Sequence, residues 1–270
     1  MKSNILSQTV FAILIFTVFF SCKKEEVTPP QNNQPSDEAN IGVTFNFKAE
    51  VNQTDDFMNK GEIFYNAFGN EFGVTKLRLL LSDVVLHKTD GTSHTIEGYH
   101  YIDMDEVSTL SLTPTEKITP GDYESIEFVF GFTPEKNISF MYPELNQISW
   151  NWPDAIGGGY HFMQLEGRFV DNSYDTVAYL THLGPTIDPT TSETINNDIK
   201  LVLPKSFTVS DDATDVSIDI KMNIDQWYEN PNTIDLNVFG AAIMGNFDAQ
   251  IQFRQNGENG VFSVGNVTVN

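Results

Sequence analysis

Two of the chain's three tryptophans stand one residue apart, at Trp150 and Trp152. They lead through Gly157, Gly158 and Gly159 into Tyr160, His161, Phe162 and Met163. Bulky, oxidisable rings beside a glycine run describe a place where backbone can be approached closely. His161 follows that run directly, and His182 ends the segment Thr176–Leu183 just before Gly184 and Pro185. Imidazole nitrogen suits copper and its neighbours among the transition metals. If the two segments pair as strands, Trp150, His161 and His182 should gather at one end of a sheet as a metal site. The plainer reading is a strand-end histidine bonded to a main-chain carbonyl. It is favoured for His161, and His182 is open to both.

A second histidine pair flanks Asp90-Gly91. With those two residues as a tight turn, Thr89 faces Thr92, Lys88 faces Ser93 and His87 faces His94. Directly opposed residues have Cβ atoms about 4.5–5.5 Å apart, close enough for two imidazoles to share a cation. The alternative is a pair of exposed loop-tip histidines with no joint role. A single cysteine, Cys22, excludes disulfide staples and every centre built on several thiolates. Nucleophile elbows, HExxH helices, P-loops and dinucleotide fingerprints are missing, so no enzymatic activity is expected. Asp103-Met104-Asp105-Glu106 lacks calcium-loop spacing and reads as a solvated turn.

The elements that must position these residues are strands. Val43, Phe45, Phe47, Ala49 and Val51 alternate, as do Ile126, Phe128, Phe130 and Phe132, and Val216, Ile218, Ile220, Met222 and Ile224. That period of two marks half-buried strands. Leu77, Leu79 and Leu81 open another that runs to His87 and returns from His94. Helix is confined to Ile224–Glu229 and a stretch within Ile243–Gln255 ended by Gly257. The chain therefore reads as all-β, an antiparallel β-sandwich with one or two short helices, occupying residues 41–270.

Ahead of that domain, Lys2 and the apolar run Val10–Phe20 describe a signal peptide over residues 1–21, the run being shorter than the roughly 20 residues a bilayer core requires. Ser21-Cys22 ends it in the manner of a lipobox, making Cys22 the lipidated first residue of an outer-membrane lipoprotein facing the periplasm or the cell surface. Residues 22–40 are rich in Pro, Gln, Asn and Glu without an aromatic, the composition of a flexible tether. A net charge of −22 disfavours nucleic acid and anionic lipid surfaces as partners.

Taken together, several motifs resemble the MbnP-like copper-binding domain. They are the Phe-x-Phe opening strand, Leu79–Asp90 followed by Gly91, Gly121-Asp-Tyr-Glu-Ser-Ile, Ser149-Trp-Asn-Trp, Gly159–Gly167, Thr181-His-Leu-Gly and Ile243-Met-Gly-Asn. Their order and spacing span about residues 43–264. The resemblance implies copper held by histidine and by a tryptophan oxidised to kynurenine through a di-haem peroxidase-like partner. By position, Trp150 is the residue converted, and His182 is the first imidazole, joined by His161. The chain departs from the pattern at Trp152, where surface copper proteins of this kind carry histidine, and in Ala241–Asn246, which holds none. A different function would use Trp150, Trp152 and Tyr160 as an aromatic platform for a glycan or peptide.

Overall fold

The alternating runs become strands where their side-chain period puts them. The computed structural model describes residues 40–52, 54, 62–241 and 243–270; the signal peptide, Cys22 and the tether up to residue 39 lie outside the described residues. In chain order the strands are β1 (Gly42–Glu50), β2 (Phe64–Tyr65), β3 (Glu71–Lys88), β4 (Ser93–Asp103), β5 (Ser111–Leu112), β6 (Gly121–Phe130) and β7 (Met163–Val170). They continue with β8 (Thr176–Leu183), β9 (Thr186–Ile187), β10 (Thr194–Ile195), β11 (Ile199–Val209), β12 (Asp215–Asn223) and β13 (Phe262–Val269). The α-helices are α1 (Pro143–Gln147), α2 (Leu236–Phe239) and α3 (Phe247–Gly257). The first expected helix is a single 3-10 turn, Asp225–Tyr228, and the second is α3. No helix among the described residues is long and apolar enough to cross a membrane.

Beside the two-stranded sheet β10-β9, one larger sheet has the order β13-β12-β1-β5, and the other runs β11-β6-β3-β7-β8 with β2 and β4 also on β3. The two pack as a sandwich. Val43, Phe45, Val216 and Ile218 from the first sheet are buried with Leu79, Leu81, Phe128 and Phe130 from the second. Phe262 of β13 meets Phe128 edge-on at 5.4 Å. Full burial of such side chains is worth about 1.5–3 kcal/mol each. The pairing of β1 with β12 is parallel, Val43 beside Val216 and Phe47 beside Ile220. These strands are far apart in sequence, so no hairpin dictates their relative direction, and a long crossover permits the parallel arrangement.

β3 organises the larger sheet. Its residues 78–87 pair with β4, while β7 covers 72–79 and β6 covers 81–88. Because Arg78 and Leu79 pair with β4 and β7 together, and Leu81 with β4 and β6, β7 and β6 lie end to end along one side of β3. Their junction falls at Leu80, whose N–H donates to Phe162 O at 2.9 Å and whose carbonyl accepts from Gly131 N at 2.8 Å. The chain between β6 and β7 leaves and returns at this seam, and it carries the candidate site.

The β3–β4 hairpin corrects the expectation that His87 faces His94. Lys88 N–H donates to Thr92 O at 2.9 Å, and Gly91 N–H donates to Lys88 O at 3.1 Å. Gly91 sits at φ +86°, the left-handed position of a three-residue loop. The extra loop residue shifts the register, so His87 lies beside Ser93 and His94 beside Leu86. A shift of one residue sends the two imidazoles to opposite faces. His87 Nε2 bonds Glu127 at 3.1 Å, and His94 Nε2 bonds Thr119 at 2.9 Å. This pair forms no joint cation site.

Candidate functional site

The excursion from Gly131 to Phe162 lies over the outward face of the larger sheet at the seam. Leu80 shows its effect: it is buried beside an equally buried Leu79, although strand alternation turns one of the two away from the sandwich interior. Ser149, at φ +58°, turns the chain after α1. A short ladder then forms between Trp150–Trp152 and Gly159–His161. His161 N–H donates to Trp150 O at 2.9 Å, and Trp152 N–H donates to Gly159 O at 2.9 Å. What approaches the glycine run is the protein's own chain. A Cβ on Gly159 would fall 2.3 Å from Asn137 Oδ1, the atom that accepts from Tyr160 N–H at 2.9 Å.

All three rings of the proposed platform are buried: Trp150 and Tyr160 are 0% exposed and Trp152 is 2% exposed. Stacking on a sugar requires an open ring face, so a Trp150–Trp152–Tyr160 platform is corrected to a piece of core. Trp152 donates its indole N–H to Ile156 O at 3.2 Å, and its ring lies where a Cβ on Gly184 would be, 2.7 Å away. Tyr160 accepts from Tyr142 N–H at 2.7 Å and bonds Asn146 Oδ1 at 3.0 Å. Trp150 differs, because its buried Nε1 has no hydrogen-bond partner among the described residues. A buried donor left unpaired costs about 1–3 kcal/mol, a cost its packing against Tyr101, edge-on at 5.0 Å, must offset.

The histidines meet beside it. His161 has ring-centroid distances of 5.4 Å to Trp150, 4.9 Å to Trp152 and 5.3 Å to His182. Pairing of β7 with β8, Gln164 opposite His182, brings this about. His161 Nδ1 lies 3.1 Å from Trp150 O. A carbonyl only accepts, so Nδ1 carries the proton and Nε2 the lone pair. His182 Nε2 lies 3.0 Å from Glu166 Oε1, which by the same logic leaves the lone pair on Nδ1. Burial holds the His161 imidazole down to about 4. Burial also lowers His182, against the opposing pull of Glu166. Both rings are therefore neutral at physiological pH, the state in which imidazole binds metals.

Three residues beside the site were assigned no part in it from the sequence. Glu166 Oε1 accepts from His182 and also from Lys76 Nζ at 2.9 Å. Burial pushes its carboxyl up, but the hydrogen bonds from Lys76 and His182 outweigh that and hold it below the usual carboxylate range. Gln250, 1% exposed on α3, donates to His182 O at 2.8 Å. Asp103, expected in a solvated turn, is buried at 3% exposure; it pairs with Arg78 Nε at 2.8 Å and accepts from Tyr101 OH at 3.3 Å. The polar alternation Gln164, Glu166, Arg168 carries a signal for Glu166, since β7–β8 pairing puts it diagonal to His182 on the same face. Among the described residues, no group of three or more His, Cys, Asp or Glu side chains is placed to hold a metal. Among the described residues, the side chains brought together here that could act as metal donors are the imidazoles of His161 and His182.

The structure is similar to that of MbnP from Methylosinus trichosporium, with a TM-score of 0.51 at 12% identity, over 83% of this chain and 98% of that one. At that identity the likeness shows the fold alone. No curated protein matches the sequence. The sequence model of the MbnP family matches residues 40–245, a span that includes both tryptophans, both apposed histidines and Glu166. The chain belongs to the MbnP family.

Proposed function

We propose that the protein is a cell-envelope lipoprotein, anchored through Cys22, that carries copper on His182, His161 and an oxidised Trp150. The observation behind the reading is the apposition of two neutral imidazoles, 5.3 Å between centroids, each with one nitrogen tied to an acceptor and the other bearing a lone pair. Metal-binding histidines characteristically donate their second N–H to a carboxylate or main-chain carbonyl; here Glu166 and Trp150 O are those acceptors. The donor set suits copper, which takes imidazole nitrogen well, and two imidazoles alone hold a metal weakly.

Trp150 supplies what is missing. An indole nitrogen is a poor ligand, and the Nε1 of Trp150 has no hydrogen-bond partner among the described residues. Oxidative cleavage of the pyrrole C2–C3 bond by a peroxidase-class oxidant, followed by hydrolytic loss of C2 as formate, would turn that nitrogen into an aromatic amine able to coordinate. With Trp150 fully buried, the conversion belongs to a dedicated oxidising partner, a di-haem peroxidase-like protein, and the chain itself acts as a carrier without catalysis. Copper titration of protein from its own host, against His182→Ala and a His87→Ala/His94→Ala control, tests the reading. Uptake abolished by the first change and untouched by the second is the expected result. Equal uptake by the parent and His182→Ala would overturn it.

A further inference from the structure

Glu166, Lys76 and His182 come from three adjacent strands, β7, β3 and β8. Lys76 pairs directly with Glu166 across β3–β7, and His182 is the diagonal neighbour of Glu166 across β7–β8. Alternation turns all three to the outward face, beneath the excursion that carries Trp150 and His161. A lysine–glutamate pair at a part-exposed position contributes little by itself. In this trio the same oxygen, Glu166 Oε1, receives both the Lys76 ammonium at 2.9 Å and the His182 ring nitrogen at 3.0 Å.

We infer that Glu166 is the positioning residue of the site: it holds the Nε2–H of His182 and so fixes the ring with its Nδ1 lone pair open toward a metal. The function of this arrangement rests on the copper reading, while the arrangement itself does not. A carboxylate only accepts, so as long as Glu166 faces Nε2 the proton stays there. Lys76 keeps Oε1 in place from the opposite strand. The main chain of His182 is held independently, by Gln250 donating to its carbonyl at 2.8 Å. Ring and backbone are thus fixed by different elements, leaving Nδ1 as the imidazole atom free to coordinate. His161 presents the complementary choice, with Nδ1 tied to Trp150 O at 3.1 Å and Nε2 free. The two rings offer opposite nitrogens before any metal arrives, and removal of such an outer carboxylate typically weakens a metal site 10–100-fold.

The test uses the full chain, metal-free and labelled with 15N-histidine, at about pH 8, above the imidazole range. Long-range proton–nitrogen correlation should show a solvent-protected ring N–H on Nε2 of His182 and another on Nδ1 of His161. In Glu166→Ala the His182 signal should vanish by exchange while that of His161 persists, reporting an intact fold. Glu166→Gln, which keeps an acceptor oxygen, should retain it. Copper retention by Glu166→Ala in the native host should fall about 10–100-fold, with Glu166→Gln between it and the parent. A protected His182 N–H that survives Glu166→Ala overturns the inference. A parent protein that takes up no copper, with the N–H pattern as expected, overturns the copper reading and supports the hold of Glu166 on the ring.

Discussion

His161 carries the largest resolved perturbation among the histidines because it is buried, 5% exposed, and its Trp150 carbonyl partner only partly compensates. Its folded value of about 4 lies below the ordinary histidine value of about 6.5 in an unfolded chain. As pH falls, the unfolded state binds the proton first. The stabilisation from the neutral ring is therefore complete above about pH 6.5 and lost on passing down through 4, a change of about 3 kcal/mol for this one group. Urea midpoints at about pH 7 and pH 4.5 should separate further in the parent than in His161→Phe, which keeps an aromatic ring and removes the titration. Equal separations would contradict the account of His161. Trp150 is likewise defined by burial, and its Nε1, like that of Trp227, has no hydrogen-bond partner among the described residues.

At the scale of elements, the site depends on α3 and on the end of β8. Asn246 caps α3, its side chain accepting from Ala249 N–H at 3.1 Å, and Gln250 one turn on grips His182 O. Asn246→Ala should cost about 1 kcal/mol and loosen the β8 terminus, seen as faster amide exchange at Gly184 than at Tyr179; unchanged exchange at both would contradict the clamp. Gly184→Ala puts a methyl 2.7 Å from the Trp152 ring and should cost about 1–3 kcal/mol by overpacking, measured by thermal melting; an unchanged melting temperature would contradict the close approach. Much of this was legible beforehand. The segment Thr176–Leu183, read as a strand ended by Gly184-Pro185, has the bounds of β8. The approach of His161 to His182 and Trp150 followed once two neighbouring strands were paired. The β3–β4 register was not legible, because one residue of loop length decides it and Asp-Gly serves loops of either length. Periodicity carries no direction, so the parallel β1–β12 pair was invisible. Burial of Trp152 was equally so, since an aromatic in a loop reads the same facing water or facing Gly184.

Over the whole molecule, a charge of −22 sits on a fold with no disulfide to staple it. Self-repulsion at such a charge destabilises the compact state, and salt screens it, the Debye length shrinking from about 30 Å at 0.01 M to about 8 Å at 0.15 M. The melting temperature should therefore rise between those two ionic strengths; a fall would mean that favourable ion pairs such as Lys48–Asp219 and Lys76–Glu166 outweigh repulsion. The same charge would draw metal cations toward the surface without choosing among them. Under the proposed function, choice rests on His161, His182 and an oxidised Trp150. The most direct measurement is peptide mass analysis of protein purified from its own envelope, paired with bound-metal determination on the same sample. The expected result is a Trp150 peptide with the mass of kynurenine, Trp152 and Trp227 unmodified, and copper near one equivalent. An unmodified Trp150 with no copper bound would contradict it.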